Sequence, residues 1–187
     1  NVCAVKTLTE ITPQLGFDYL LNFGFTTLVQ NRTEKDGSVV SDIQQPLALG
    51  GITDGITNLE ITAAYATIAN QGTYTRPVFY SKVVDSNGRI LLDNTTPTTH
   101  TVLKSSTASL LTQGMTSVIT EGTGKACALT DGMPVSGKTG TTSSAYDLWF
   151  CGYTPYLTAS IWTGYDENKE LGSDQAYHER LWSKIMS

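Results

Sequence analysis

The residues of this sequence with the most chemical potential are Ser136-Gly137-Lys138-Thr139-Gly140-Thr141-Thr142. They allow two specific chemistries and one plain reading. In the first, Gly132 to Thr139 fits G-x-x-x-x-G-K-[ST], a phosphate-cradling loop. That mechanism needs a buried strand before the loop and a helix opening at the lysine, whose first N–H groups hold the phosphates. Ala126–Asp131 is short for a central strand, and Gly140-Thr141-Thr142-Ser143-Ser144 is a poor helix opening. In the second, the segment is an edge strand lining a cleft. Its glycines let a substrate backbone come close, and a peptide adds to the open edge as a further strand. Lys138 supplies positive field, the threonine hydroxyls hold a carboxylate, and a backbone N–H stabilises a tetrahedral oxyanion. The plain reading is a surface strand with an exposed lysine, since Lys-Thr-Gly alone is a weak signal.

The elements around the segment favour the strand. Residues 2–11 and 13–23 read as two short helices, with Val2, Val5, Leu8 and Ile11 on one face and Thr12-Pro13 as cap and first helical residue. Residues 30–56 are polar and mostly loop. Thr57-Asn58-Leu59-Glu60 is a capping box, and the following helix carries Leu59, Ala63, Ala66 and Ala69 on one face. Val78–Val84 and Arg89–Leu92 flank Asn87-Gly88 as a β-hairpin. Residues 93–101 read as a Thr/Pro loop. Ser105 or Ser106 caps a helix with Leu111, Met115, Val118 and Ile119 inward. Three strands follow, Val135–Ser143, Leu148–Tyr153 and Leu157–Tyr165, and Ser173 or Asp174 caps a closing helix with Ala176, Trp182, Ile185 and Met186. This order predicts an α+β fold, an antiparallel sheet flanked by helices. Residues 1–72 form a mainly helical part. Residues 73–187 form the hairpin, helix, motif strand, β-hairpin and closing helix.

Composition narrows the function classes. The chain has 187 residues, a formal net charge of −5, 40% hydrophobic and 16% charged residues. That excludes a disordered chain. No apolar run is long enough to span a bilayer, and 12 Lys+Arg against 17 Asp+Glu leave no basic stripe for nucleic acid. Cys3, Cys127 and Cys151 are far apart, and His100 and His178 are the only histidines, so neither a metal site nor a cofactor is expected. The cysteines read as three small buried apolar side chains, of which at least one is a free thiol or pairs with another chain.

The flanking segments then add specificity. Asn58-Leu59-Glu60 with Ala63-Ala64-Tyr65-Ala66, Glu121-Gly122-Thr123-Gly124, and Val135 to Thr142 stand in order. So do Asp147-Leu148-Trp149-Phe150-Cys151-Gly152-Tyr153-Thr154-Pro155 and Trp162-Thr163-Gly164-Tyr165-Asp166. From Asn1-Val2-Cys3-Ala4-Val5-Lys6 to Trp182-Ser183-Lys184-Ile185-Met186, the string resembles the transpeptidase domain of class A penicillin-binding proteins, the bifunctional peptidoglycan synthases. The serine β-lactamases share Lys-Thr-Gly and the fold. The Trp149-Phe150 to Pro155 stretch favours the synthases.

The resemblance implies a D,D-transpeptidase. A serine in Ser-x-x-Lys attacks the penultimate D-Ala carbonyl of a stem peptide ending in D-Ala-D-Ala, and β-lactams leave a slow acyl-enzyme at the same serine. It implies catalytic roles for Lys138, Asn1 and Thr141, and substrate binding by Thr139, Gly140, Thr141 and Thr142. The Thr141 N–H is one arm of the oxyanion hole. Asn1-Val2-Cys3-Ala4-Val5 fits the end of the family's Ser-x-Asn motif. No serine here has a lysine three residues on, and no complete Ser-x-Asn is present. The expectation is therefore a domain incomplete at its N-terminus, inactive alone, and prone to associate with the segment that carries the nucleophile. Its partners would be stem peptides, β-lactams and that segment. Its parent would sit at the extracytoplasmic face of a bacterial membrane, anchored outside this soluble chain. The other reading is a non-catalytic module that keeps the fold without the chemistry.

Overall fold

The computed structural model describes residues 1–172, 174 and 176–187. The chain forms two compact units, Asn1–Ile61 and Thr62–Ser187.

The first unit opens with helices α1 (Val2–Ile11) and α2 (Pro13–Asn22). They break at Thr12, whose φ of 77° no helix tolerates and whose hydroxyl accepts from Leu15 N at 3.3 Å. Leu8 and Phe17 pack with Leu47 of a single 3₁₀ turn, Gln45–Leu49. Val2 and Ile11, which share the helical period of Leu8, are exposed. The expected loop contains a short ribbon of β1 (Arg32–Thr33) and β2 (Val39–Val40). It is pinned by the fully buried Asp42, whose carboxylate accepts from Val29 N (2.7 Å), Thr53 N (2.8 Å) and the Thr53 hydroxyl (2.6 Å). A buried carboxylate is tolerable only with such donors. The capping box forms as expected: Thr57 N and Oγ1 donate to Glu60 Oε2, and Glu60 N donates to Thr57 Oγ1. Glu60 Oε1 also takes Thr26 N and Oγ1, tying the helix start to the loop before it.

Helix α3 (Asn58–Ala69) runs on into the second unit, where Ala63, Ala64 and Thr67 are buried; Leu59 and Ala69 are exposed. Strand β3 (Thr73–Thr75) follows. The expected hairpin is present but shorter, as β4 (Lys82–Val84) and β5 (Ile90–Asp93) around a turn with Gly88 at φ +80°. Residues 93–101 are not all loop. Thr99–Thr101 is β6 and pairs with β3, Tyr74 opposite His100 with ring centroids 4.9 Å apart. That pairing joins segments 26 residues apart, beyond the reach of a local pattern.

Helix α4 (Ser105–Thr120) starts after Lys104, without a side-chain cap from Ser105 or Ser106. It buries Ala108, Met115 and Ile119, while Leu111 faces out at 42% exposure. Strands β7 (Ser136–Thr141), β8 (Asp147–Tyr153) and β9 (Thr158–Gly164) form an antiparallel sheet in that order, close to the expected bounds. Helix α5 (Tyr177–Met186) closes the unit. Ser173 lies outside the described residues. Asp174 accepts from Ala176 N and pairs with Arg180, and Ile185 is exposed.

The core of this unit is Ile119, Cys127, Leu129, Val135, Phe150 and Trp182. Phe150 meets Trp182 edge-on, centroids 5.0 Å apart at 76°, and Trp182 Nε1 donates to Ala159 O at 2.9 Å. Cys127 and Cys151 are buried as expected; Cys3 is exposed, and all three thiols are free. Gly137 of β7 admits no side chain, because a Cβ there would lie 2.6 Å from Phe150 Cζ and 2.7 Å from Cys151 O.

The sequence pattern did not mark His178 and Glu179 of α5, which are buried. Neither ring nitrogen of His178 completes a hydrogen bond among the described residues. Burial pushes its pKa down, and the Trp149 backbone and Asp174 pull weakly the other way. Burial pushes the Glu179 carboxyl up, opposed by the Ala126 N–H and Arg180.

Two outcomes follow from this packing. Gly137→Ala lowers stability by about 1–3 kcal/mol or more, read from the denaturant midpoint. For His178, the folded state favours the neutral ring, so its contribution is whole above the unfolded pKa of about 6.5 and is lost as pH falls through the lowered folded value. The melting temperature therefore drops as pH falls below about 6.5, and His178→Gln flattens that dependence. An equally steep fall in the variant assigns the effect to other groups.

Candidate active site

Lys138, Thr139, Gly140 and Thr141 lie together on β7, an edge strand of its sheet. The strand is small and β-branched because it must fit over Phe150 and still pair with β8. Its register is Ser136↔Tyr153 through Thr141↔Leu148. The ladder continues to Thr142, whose N–H donates to Asp147 O at 3.1 Å. Alternate residues of an antiparallel pair bond inward, so Thr142, Gly140, Lys138 and Ser136 face β8. The backbone groups of Gly137, Thr139 and Thr141 point to the open edge. The Lys138 ammonium agrees with this phase, since its Nζ donates to the outward Thr139 carbonyl at 3.0 Å.

The edge therefore presents a charged amine, two outward N–H groups at Thr139 and Thr141, and hydroxyls. Thr139 Oγ1 lies 2.6 Å from Thr123 Oγ1, in the turn after α4. On the other side, Ser136 Oγ meets Thr116 Oγ1 at 2.8 Å and donates to Thr112 O at 3.2 Å. Thr112 Oγ1 meets the Tyr153 hydroxyl at 2.7 Å. These contacts dock α4 on the sheet beside Lys138.

Thr142 is placed differently. Its hydroxyl donates to Asp147 Oδ2 at 3.0 Å and accepts from Asp147 N at 2.9 Å. Asp147 Oδ1 takes Trp162 Nε1 at 2.8 Å. The loop between them turns through Ser144 and Ala145 at φ 60° and 50°, a left-handed conformation that strains residues with a Cβ. Trp149 packs near Trp162, centroids 6.4 Å apart. Asn1 heads α1 in the first unit, its carbonyl accepting from Val5 N at 3.1 Å.

Behind the strand, burial raises the Cys151 thiol to about 11 against a bond with Ser160, and holds the Tyr65 hydroxyl well above the usual tyrosine range. Both are neutral near pH 7. No cluster of three His, Cys, Asp or Glu that could hold a metal occurs among the described residues, and no described helix is long and apolar enough to cross a membrane. Thr123 is the site residue that residue-type reasoning passed over. The signal was present in Gly122-Thr123-Gly124, where two glycines bracket one hydroxyl.

The chain is similar to known proteins along its whole length. The penicillin-binding protein transpeptidase domain matches residues 1–187. Penicillin-binding protein 1A of Clostridium acetobutylicum is 34% identical over 186 residues, covering 100% of this chain and 22% of that protein. Penicillin-binding protein 1A of Aquifex aeolicus is 40% identical over 172 residues, 92% of this chain and 21% of that protein. Among solved structures, the penicillin-binding protein PonA1 from Mycobacterium tuberculosis superposes with a TM-score of 0.73 at 28% identity, covering 93% of this chain and 48% of that one. A structure of PonA1 in complex with penicillin V matches with a TM-score of 0.65. The chain thus spans 21–22% of the length of these curated relatives and 48% of the solved chain. With the match running from the first residue to the last, this chain belongs to the penicillin-binding protein transpeptidase domain family.

Proposed function

We propose that this chain forms the substrate-holding part of a serine D,D-transpeptidase that cross-links stem peptides ending in D-Ala-D-Ala. The single observation that carries the reading is the open edge of β7. There the Thr139 and Thr141 N–H groups and the Lys138 ammonium face outward on a strand whose other edge is fully paired.

In this reading the acyl donor peptide adds to β7 as a further strand. Its first contact is the Thr139 carbonyl now capped by Lys138 Nζ. Exchange of that bond for a peptide N–H frees the ammonium toward the reacting carbonyl, where it supplies field and aids proton transfer. The Thr139 and Thr141 hydroxyls hold the terminal carboxylate, and Gly140 between them keeps the strand close over Trp149. The Thr141 N–H stabilises the oxyanion of the tetrahedral intermediate. Thr142, bonded to Asp147, shapes the loop beyond the subsite. Asn1 takes the place of the asparagine in Ser-x-Asn.

The nucleophile belongs to a Ser-x-x-Lys segment that this sequence does not contain. Its hydroxyl attacks the penultimate D-Ala carbonyl, the terminal D-Ala leaves, and an amine of a second stem peptide takes the acyl group. β-Lactams acylate the same serine. The parent enzyme works at the extracytoplasmic face of a bacterial membrane.

Two measurements test this. This chain mixed with a fluorescent penicillin gives no covalent adduct by intact mass. The same chain with its family's Ser-x-x-Lys segment in place gives one adduct per protein, and absence of labelling there refutes the reading. In that complete domain, Lys138→Ala lowers the second-order acylation rate by about 100-fold or more, the scale of losing one preorganised electrostatic contact. A complete domain that turns over β-lactam rapidly, without an accumulating adduct, is a hydrolase instead.

A further inference from the structure

We infer that Thr123 is a positioning residue for the substrate carboxylate, acting through Thr139. The inference rests on the reading of Thr139 as a carboxylate-holding hydroxyl and adds the group that sets its proton.

The turn after α4 is built to deliver this one side chain. Gly122 N donates to Ser117 O at 2.9 Å and Gly124 N to Val118 O at 3.0 Å, so the turn folds back onto the end of the helix. A Cβ at position 122 would lie 2.8 Å from Val118 Cα and 2.9 Å from Val118 O. One at position 124 would lie 3.0 Å from Ile119 Cδ1 and 3.3 Å from Phe150 Cε2. Close approach to backbone requires a glycine at 122, and at 124 a Cβ would press on the core that underlies β7. Thr123 stands between them, and its hydroxyl reaches Thr139 Oγ1 at 2.6 Å.

Proton accounting gives the pair a direction. Each hydroxyl has one O–H to donate, and a carboxylate only accepts. Once Thr139 spends its proton on the substrate, its oxygen can only accept from Thr123. The bound state is therefore a one-way chain, Thr123 to Thr139 to carboxylate. Each bond polarises the next, and the Thr139 rotor is fixed with its proton toward the substrate. A Thr123 that merely tied the turn to the strand would serve any ligand equally. One that sets the Thr139 proton matters only for a ligand with a carboxylate.

The test uses the complete transpeptidase domain with benzylpenicillin and its methyl ester, which lacks the carboxylate. Thr123→Val lowers the second-order acylation rate for benzylpenicillin about 3- to 10-fold, the scale of one net hydrogen bond. It leaves the ester rate within about twofold, and Thr123→Ser restores the benzylpenicillin rate. In a Thr139→Val background, Thr123→Val has no further effect. Equal loss with both probes overturns the inference, because it marks a structural tie. So does an unchanged benzylpenicillin rate in Thr123→Val when Thr139→Val alone lowers it. If Thr139→Val leaves the ratio of the two probes unchanged, the carboxylate reading of Thr139 fails, and the role of Thr123 fails with it.

Discussion

Strand β7 is bonded along one edge and bare along the other, and the second unit is arranged around keeping it straight in that condition. A bare edge has no partner to hold its register, and open edges are hazards that proteins usually blunt or cover. Here the stiffness comes from below and from one flank. Below, Gly137 brings the backbone against the Phe150 ring and the Cys151 carbonyl, with no side chain to hold them apart. Phe150 rests edge-on against Trp182, and the indole N–H of Trp182 is spent on Ala159 O of β9. One stack thus links the middle of β7 to α5 through the sheet. Burying an aromatic side chain contributes about 1.5–3 kcal/mol, more than the roughly 1 kcal/mol net of a single hydrogen bond. The strand is held from beneath as well as along its ladder to β8.

The flank is held by hydroxyls. Ser136, Thr116, Thr112 and Tyr153 form a continuous polar seam between α4 and the sheet. Threonines in a helix return their hydroxyls to the carbonyl one turn back, as Thr112 does to Ala108 and Thr116 to Thr112. That removes the cost of burying them and leaves their lone pairs to accept from a neighbour. The seam carries no charge. The ionisable groups behind it, Cys151 and Tyr65, are kept neutral by burial. Lys138 is the one ionisable residue of β7, so its positive field along that strand is not offset by an anion on the strand itself.

Legibility in the sequence followed the range of the forces involved. The bounds of α1, β8 and β9 fell within a residue or two of expectation because their signals are local: a helical period, a proline after a cap, alternating aromatic and β-branched residues around Thr154-Pro155-Tyr156. The β3–β6 pair stayed hidden because neither Thr73–Thr75 nor Thr99–Thr101 is apolar or long, and each becomes a strand only against the other. Leu111 misled because it shares a helical period with Met115, yet α4 presents Ala108 inward and leaves Leu111 out. His178 and Glu179 were missed because polar residues in a terminal helix read as a solvent face, whereas both are buried.

The same division runs through the candidate site. Lys138 to Thr142 was readable because the strand carries the chemistry as consecutive residues, and the edge geometry needed only that β7 have one partner. What no consecutive run encodes is which group meets which. The hydroxyl that touches Thr139 comes from 16 positions upstream. The group that engages Thr142 is Asp147, across a left-handed loop through Ser144 and Ala145. Both partners are small or short side chains brought in by turns, and turns are set by close approach rather than by hydrophobic period. Gly122 and Gly124 make the point for Thr123. As isolated residues they signal only a break in the helix. With Val118 and Phe150 in place, they are the two positions where a Cβ would crowd the backbone or the core, and the threonine between them is aimed by that exclusion.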